Sequence, residues 1–338
     1  MSETVRIALA DIDRVARAAL VRAGCDEANA IATSDVMVRA ERDGCASHGL
    51  FRLPGYLASL RSGKANGRAA PVARAHAPGV VRVEGDNALA PLAMQVARTA
   101  VAPLARAQGI AAVAIVDVLH FSALWADIEG LVADGLGAFC MTAYLPSVAP
   151  AGAKTPFFGT NPFAFGFPGE AFIFDFATAA TARGEIQIAA RDGRPAPAGA
   201  GVDTDGRPTR DPHAILAGAQ SPFGGHKGSA LALMIELMAG VLIGQPTSAE
   251  AAREEKALGV CDGGPPRGGV LMIAFDPDRF GDAAGWRAHA GAFFAELRAL
   301  PGVRLPGDRR RLERARIARE GAAVPRALWD EARRAAGH

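Results

Sequence analysis

Apolar positions recur at helical spacing from the start of the chain. Ile12, Val15, Ala19 and Leu20 share one face of a segment that opens at Asp11 and stops at Gly24, the three-to-four-residue recurrence of an amphipathic helix. Asp26 is placed to cap a second helix reaching about Arg42. After Pro71 the pattern changes: 80–83 predicts a short strand, Gly85-Asp86-Asn87 a turn, and 89–108 a helix closed by Gly109. Two continuous apolar runs, 110–118 and 136–143, have strand length, and strands buried on both faces are patterned this way. Between them, Ser122 is placed to cap a helix over 123–134. Phe-rich runs at 156–168 and 172–178, joined by a turn at Gly169-Glu170, predict two strands, and 183–190 a short helix. The following stretch to Pro212 carries so much Gly, Pro and Asp that it predicts loop, and a loop of that length in a compact chain is usually functional. An apolar helix over 230–242, a strand in GGVLMIAFDP, and helices over 286–300 and 325–336 complete the pattern. Strand, helix and strand alternate in the middle while helices dominate the first quarter, which predicts an α/β fold.

Composition narrows the classes. With 338 residues, half of them apolar, the chain is long enough for one large or two ordinary domains. The longest candidate membrane run, 231–243, is interrupted by Glu236, and the charged opening MSETVRIALADIDR has no apolar signal region. A soluble protein is expected. Cys25, Cys45, Cys140 and Cys261 lack any C-x-x-C or Cys/His spacing, so no metal site is expected and reduced thiols fit a cytoplasmic location. A net charge of +2 with few aromatics does not point to nucleic acid.

Candidate chemistry concentrates in CASHGLFRLPGY, residues 45–56. If 50–56 is helical, Ser47, His48 and Arg52 share one side, placing an acid/base group beside a carboxylate clamp; a polar helix edge would have the same pattern. There is no G-x-G-x-x-G after a strand and no G-x-x-x-x-G-K-[ST], so any nucleotide is held by another device. FGGHKGSAL offers one: glycines for close approach, His226 and Lys227, and a helix N-terminus that attracts anions. An ordinary glycine turn before a buried helix fits it equally. His120 follows a buried strand, where side chains commonly line ligand crevices. Asp175 sits in an apolar strand and needs a partner, and Glu185 is a carboxylate able to orient a histidine. Arg309, Arg310, Arg311, Arg314, Arg316 and Arg319 form a basic tail that is solvated by default, or a phosphate contact.

In this order, CASHGLFRLPGY, LHFSALW, FFGTNPFAFGFP, FDFAT, RGEIQIAARDG with PAGAGVDTDGRPTRDPHAIL, and FGGHKGSALALMIELMAG resemble the malate/L-lactate dehydrogenase family that lacks a Rossmann domain, over roughly residues 5–320. Within it, H-F-x-A-L-W, I-Q-I-A-A-R and P-F-G-G-H-K-G-S-A-L are most similar to the Δ1-piperideine-2-carboxylate/Δ1-pyrroline-2-carboxylate reductases. The resemblance implies a non-Rossmann NAD(P)-binding domain on a mostly antiparallel sheet (71–284). It also implies a helical substrate and dimer domain from both chain ends (1–70 with 285–338), and a homodimer. It implies NAD(P)H-dependent reduction of a small cyclic imino acid, with NADPH the expected cofactor and NADH an alternative. A 2-hydroxyacid dehydrogenase acting on malate, lactate or ureidoglycolate is the other reading.

The same resemblance places Ser47 and His48 at the catalytic positions and Arg52 at the substrate carboxylate. His120, Phe121, Ser122, Ala123, Leu124, Phe174, Asp175, Arg183, Gly184, His226 and Lys227 fall on cofactor segments, Asp175 also near the substrate, and Arg309, Arg310 and Arg311 on the last cofactor segment. The relay carboxylate, aspartate in the reductases, falls on Glu185, and Arg183 stands where that branch tends to have histidine.

Overall fold

In the structure, a computed structural model described for residues 3–169, 172–259 and 263–337, the chain opens with a strand and two packed helices. Cys261 and the Glu170 half of the expected turn lie outside the described residues. The opening elements are β1 (Thr4–Ile7), α1 (Leu9–Arg22) and α2 (Glu27–Arg42). Asp26 caps α2, its carboxylate accepting the Asn29 N–H at 2.9 Å. Two short 3-10 turns, Ala46–His48 and Leu50–Arg52, then lead to α3 (Leu53–Arg61). The helix expected over 50–56 thus opens as a 3-10 turn and becomes α-helical at Leu53, while Gly49, with ψ −138°, separates it from the turn that carries Ser47 and His48.

β2 (Val72–Ala77) and β3 (Val80–Leu89) follow. The expected turn at Gly85-Asp86-Asn87 is instead a bulge inside β3: Asp86 and Asn87 take φ of 58° and 53°, and the register slips between Glu84 and Ala88. Asp and Asn tolerate that left-handed conformation, so the strand kinks and continues. Next come α4 (Ala90–Gln108), β4 (Ile110–Leu119), α5 (Leu124–Ala133), β5 (Gly137–Thr142), β6 (Phe163–Phe167), β7 (Phe172–Phe176) and α6 (Arg183–Arg191). Ser122 does not cap α5: Ala123 holds the N-cap without a side-chain bond. The expected long loop contains two short strands, β8 (Gly201–Val202) and β9 (Pro208–Thr209), and leads into α7 (Pro212–Ala217) and β10 (Ala219–Gln220), which joins them in a small sheet. α8 (His226–Ala239), α9 (Ser248–Leu258), β11 (Arg267–Phe275), α10 (Trp286–Ala299), α11 (Asp308–Glu320), β12 (Ala322–Pro325) and α12 (Arg326–Ala336) close the chain.

The main sheet has seven strands in the order β2-β3-β4-β11-β5-β6-β7, and only β3 and β4 pair in parallel. This is the mostly antiparallel α/β architecture expected. Its alternation sorts side chains by face. Ala138, Cys140, Ala164 and Met272 lie in a core with residues of α4 and α5, while Ala114, Val116, Met141 and Leu271 pack with Ile235 and Ala239 of α8. A second core joins the chain ends: Ile12, Leu20, Met37 and Tyr56 pack with Ile317, Val324 and Ala332, and β1 pairs antiparallel with β12. α10 departs from that layer and leans on the sheet, with Trp286 edge-on to Phe167 at 5.4 Å and Phe294 stacked on Phe172 at 5.4 Å.

The segment His226–Ile243 is long and apolar enough by composition to cross a membrane, a longer run than the sequence pattern delimits. Glu236 within it is buried and accepts from Asn161 Nδ2 and Ser248 N–H, both at 2.8 Å. A paired carboxylate and an inner face against the sheet identify a core helix.

Candidate active site

The α2–α3 turn is built by short-range bonds. Cys45 N–H donates to Ala40 O at 2.8 Å, and the Glu41 carboxylate accepts the Leu50 N–H at 2.8 Å. Glu41 also lies against Gly49, where a Cβ would stand 2.1 Å from its Oε1. Burial pushes the Glu41 carboxyl up to about 7, against the pull of the Leu50 bond.

On this turn Ser47 Oγ lies 3.1 Å from His48 Nδ1. His48 sits deep in the protein while keeping part of its surface open. Burial, then the proximity of Arg52 and His120, pushes the imidazole down to about 3. Arg52 spreads over Phe121 at 4.2 Å and Phe51 at 5.5 Å, its buried Nε without a hydrogen-bond partner among the described residues. Phe121 meets Tyr56 edge-on at 5.6 Å and stacks on Tyr144 at 6.1 Å. The guanidinium thus rests on an aromatic wall that fixes its plane.

His120 is buried at the end of β4, with Nε2 2.8 Å from Asp127 Oδ2. The Ser122 hydroxyl lies 3.3 Å from the same nitrogen, which is where the expected helix cap went. Ala123 and Leu124 are buried at the start of α5. Asp175 finds its partners in the Trp125 N–H at 3.4 Å and Arg310 at 3.8 Å. Burial raises its pKa, and Arg310 opposes that shift. Its neighbour Phe174 stacks on Phe176 at 5.5 Å in an aromatic ladder on β7.

α6 brings its first turn to the turn that carries Ser47 and His48. A Cβ on the buried Gly184 would lie 3.5 Å from Ser47 Cβ and 3.9 Å from an Arg52 terminal nitrogen. Burial lowers the Arg183 pKa, while Tyr144 pulls it the other way. Glu185 points outward: its side chain is exposed and, among the described residues, has no hydrogen bond to His48. The carboxylate in contact with a site histidine is Asp127, on His120. His226 and Lys227 are exposed at the start of α8 behind Gly224 and Gly225, both at positive φ. The lead-ins to α6 and α8 are tied together: Phe223 N–H donates to Thr178 O at 3.0 Å and Gln220 Nε2 to Thr181 O at 2.7 Å.

The arginine tail, expected as surface, is the helix α11. Arg314 donates to Asp43 at 2.6 Å and to Glu129 at 2.7 Å, Arg316 pairs with Glu313 and Glu320, and Arg311 with Asp308. Arg310 donates to Ile173 O at 2.6 Å and lies over Trp125 at 4.9 Å, whereas Arg309 is exposed. Arg310, Arg311, Arg39 and Gly307 line a cleft of about 500 Å³. Among the described residues no cluster of three or more His, Cys, Asp or Glu has metal-holding geometry.

Sequence reasoning missed Tyr56, Tyr144, Asp127 and Asn161. Asn161, at φ 33°, accepts the Tyr144 N–H at 3.2 Å and so holds Tyr144 in place. Its position before Pro162 in GTNPF was the available signal.

A family model described as malate/L-lactate dehydrogenase matches residues 7–333. A Δ1-pyrroline-2-carboxylate reductase of Ancylobacter novellus is 52% identical over 98% of this chain and 97% of its own length. A Δ1-pyrroline-2-carboxylate/Δ1-piperideine-2-carboxylate reductase of Pseudomonas aeruginosa is 45% identical over 97% of this chain and 98% of its own. The crystal structure of Δ1-piperideine-2-carboxylate reductase from Pseudomonas syringae pv. tomato superposes with a TM-score of 0.91 at 41% identity, covering 98% of this chain and 100% of that one.

Proposed function

The chain belongs to the malate/L-lactate dehydrogenase family, and from that premise we propose that it reduces a cyclic imino acid, Δ1-piperideine-2-carboxylate or Δ1-pyrroline-2-carboxylate, to L-pipecolate or L-proline. The observation that carries the reading is Arg52, a half-buried side chain whose buried Nε has no hydrogen-bond partner among the described residues, braced over Phe121 beside Ser47 and His48. Such a group is expensive to leave unpaired, and a substrate carboxylate gripped in bidentate fashion supplies the partner.

The residues fit a nicotinamide cofactor. Gly184 and the Gly224-Gly225 pair open two helix N-termini whose lead-ins are bonded together, with His226, Lys227 and Arg183 beside them. Backbone amides at such ends suit phosphate oxygens. Phe121, Phe174 and the buried segment from His120 to Leu124 supply flat and apolar surface, and Arg310 and Arg311 add positive charge that favours NADPH over NADH. A bound reduced nicotinamide supplies the hydride that C2 of the imine accepts.

This chain's residues then do three things. Arg52 holds the ring by its carboxylate and so orients C2. His48, neutral at physiological pH because it is pushed down to about 3, accepts a hydrogen bond from the protonated imine nitrogen and keeps the C=N bond electrophilic. When the substrate carboxylate offsets the Arg52 charge, one cause of that depression is removed, and His48 becomes able to exchange a proton with the nitrogen as its lone pair returns. Ser47 holds the ring of His48 through Nδ1. Glu185 completes the relay only if α6 turns its first residues inward when substrate binds.

The helical layer from both chain ends serves as the substrate and dimer domain, and the sheet from 71 to 284 as the cofactor domain. A cytoplasmic homodimer fits the exposed Leu233, Leu237, Val241 and Leu242 along one edge of α8 and the turn after it.

Loss of reduced-nicotinamide absorbance tests the reading directly, with NADPH and NADH each assayed against both cyclic imino acids, pyruvate and oxaloacetate. Imine turnover is expected, with Arg52→Ala losing on the order of 2–4 kcal/mol in kcat/KM. Turnover of the keto acids without the imines selects the 2-hydroxyacid dehydrogenase instead.

A further inference from the structure

His120 stands one residue before Phe121, whose ring lies under Arg52, and is among the groups that bear on His48, so it belongs to the wall of the same site. Its imidazole is only 7% exposed and is held from one side, with Nε2 2.8 Å from Asp127 Oδ2 and 3.3 Å from the Ser122 hydroxyl. Asp127 has no exposed surface and occupies the first turn of α5, where the helix N-terminus favours a carboxylate.

The other charged groups do not account for this arrangement. Arg98 of α4 comes to 3.9 Å from Asp127 Oδ1 but spends its hydrogen bond on the Asp127 backbone oxygen at 3.2 Å. Oδ1 has no hydrogen-bond partner among the described residues. Asp175 on β7 adds only a repulsive charge. Among the described residues, the side-chain hydrogen bonds of this fully buried carboxylate therefore go to His120 and Ser122. A carboxylate that served only to satisfy Arg98 would face it at hydrogen-bond distance.

We propose that Asp127 is a positioning residue for His120, fixing the ring with its Nε2 proton toward α5 and leaving Nδ1, on the other side of the ring, as the acceptor offered to the cofactor cleft. Carboxylates commonly set histidine tautomers in this way. The inference rests on the reading that the segment from His120 to Leu124 meets the nicotinamide cofactor.

Two measurements test it, neither requiring turnover of an imine. In the first, protein labelled with 15N-histidine is examined near neutral pH, the His120 signals being assigned by their loss in His120→Gln. A ring protonated at Nε2 and bare at Nδ1 is expected in the wild type; a proton on Nδ1 overturns the proposal. In the second, NADPH binding is followed by fluorescence in the isosteric Asp127→Asn. The Kd is expected to rise at least tenfold, with the imine KM moved less than threefold. A folded Asp127→Asn whose NADPH Kd stays within twofold of wild type overturns it. If the variant does not fold, the labelled wild-type protein decides alone. Weakened NADPH binding in an enzyme that ignores imines upholds the role of Asp127 and rejects the substrate assignment.

Discussion

Glu41 shows how much one side chain decides at the turn carrying Ser47, His48 and Arg52. Its carboxyl accepts the Leu50 N–H and fills the space above Gly49, and burial takes it from an ordinary 4.5 up to about 7. Between those values the folded protein holds a proton that the unfolded chain has released, so stability falls as pH rises through the window and is flat above it. Glu41→Gln keeps the acceptor without the ionisation. Urea denaturation across the window should show the variant gaining on wild type by up to roughly 3 kcal/mol as pH rises. At this scale Ser47, His48 and Arg52 were legible because their grouping is local, within six residues. Asp127 and Tyr144 were not, because their partners are set by how β4, α5 and the β5–β6 connection pack. Glu185 shows the opposite limit: the resemblance assigns a relay carboxylate to this position, and in the structure its side chain is exposed.

Among the elements, α6 matters for its second residue rather than its charge. Gly184 is buried within ordinary contact distance of Ser47 and Arg52. Gly184→Ala should therefore fold well, gaining about 0.5–1 kcal/mol of helix propensity, while its methyl narrows the space in which the substrate carboxylate meets Arg52. Thermal melting should show an unchanged or raised Tm, and steady-state kinetics at least a tenfold lower kcat/KM for the imine. Elements with strong apolar periodicity, α1, α2, β4, β5 and β11, were legible to within a residue or two. The β3 bulge read as a turn because Gly-Asp-Asn favours left-handed backbone in either setting. α11 was missed because its arginines, facing carboxylates on other elements, leave it almost no apolar stripe: Ile317 is its one buried residue.

Across the whole molecule, α11 clasps the two cores together. Arg314 reaches Asp43 at the end of α2 and Glu129 on α5, and Arg39 of α2 also meets Glu129, at 2.6 Å. Burial pushes the Glu129 carboxyl up, but the bonds from Arg314 and Arg39 outweigh it and hold it down at about 2. Its contribution is thus complete above the ordinary carboxylate range and is lost as pH falls from about 4.5 through about 2. Arg314 is partly exposed, so Arg314→Ala should cost only about 1–2 kcal/mol at neutral pH, and urea melts should show a shallower loss in acid than wild type. The mostly antiparallel sheet and the layer built from both chain ends were legible through the ordered motifs, whereas the side-chain clasp between them had no sequence signal. The central claim, that this scaffold directs hydride to the C=N carbon of a cyclic imino acid held by Arg52, is tested most directly by isotope transfer from NADPH deuterated at C4. Mass and NMR analysis of the product should find one deuterium at C2 of L-pipecolate or L-proline. Unlabelled product, or label carried only into a 2-hydroxy acid from a keto acid, would contradict it.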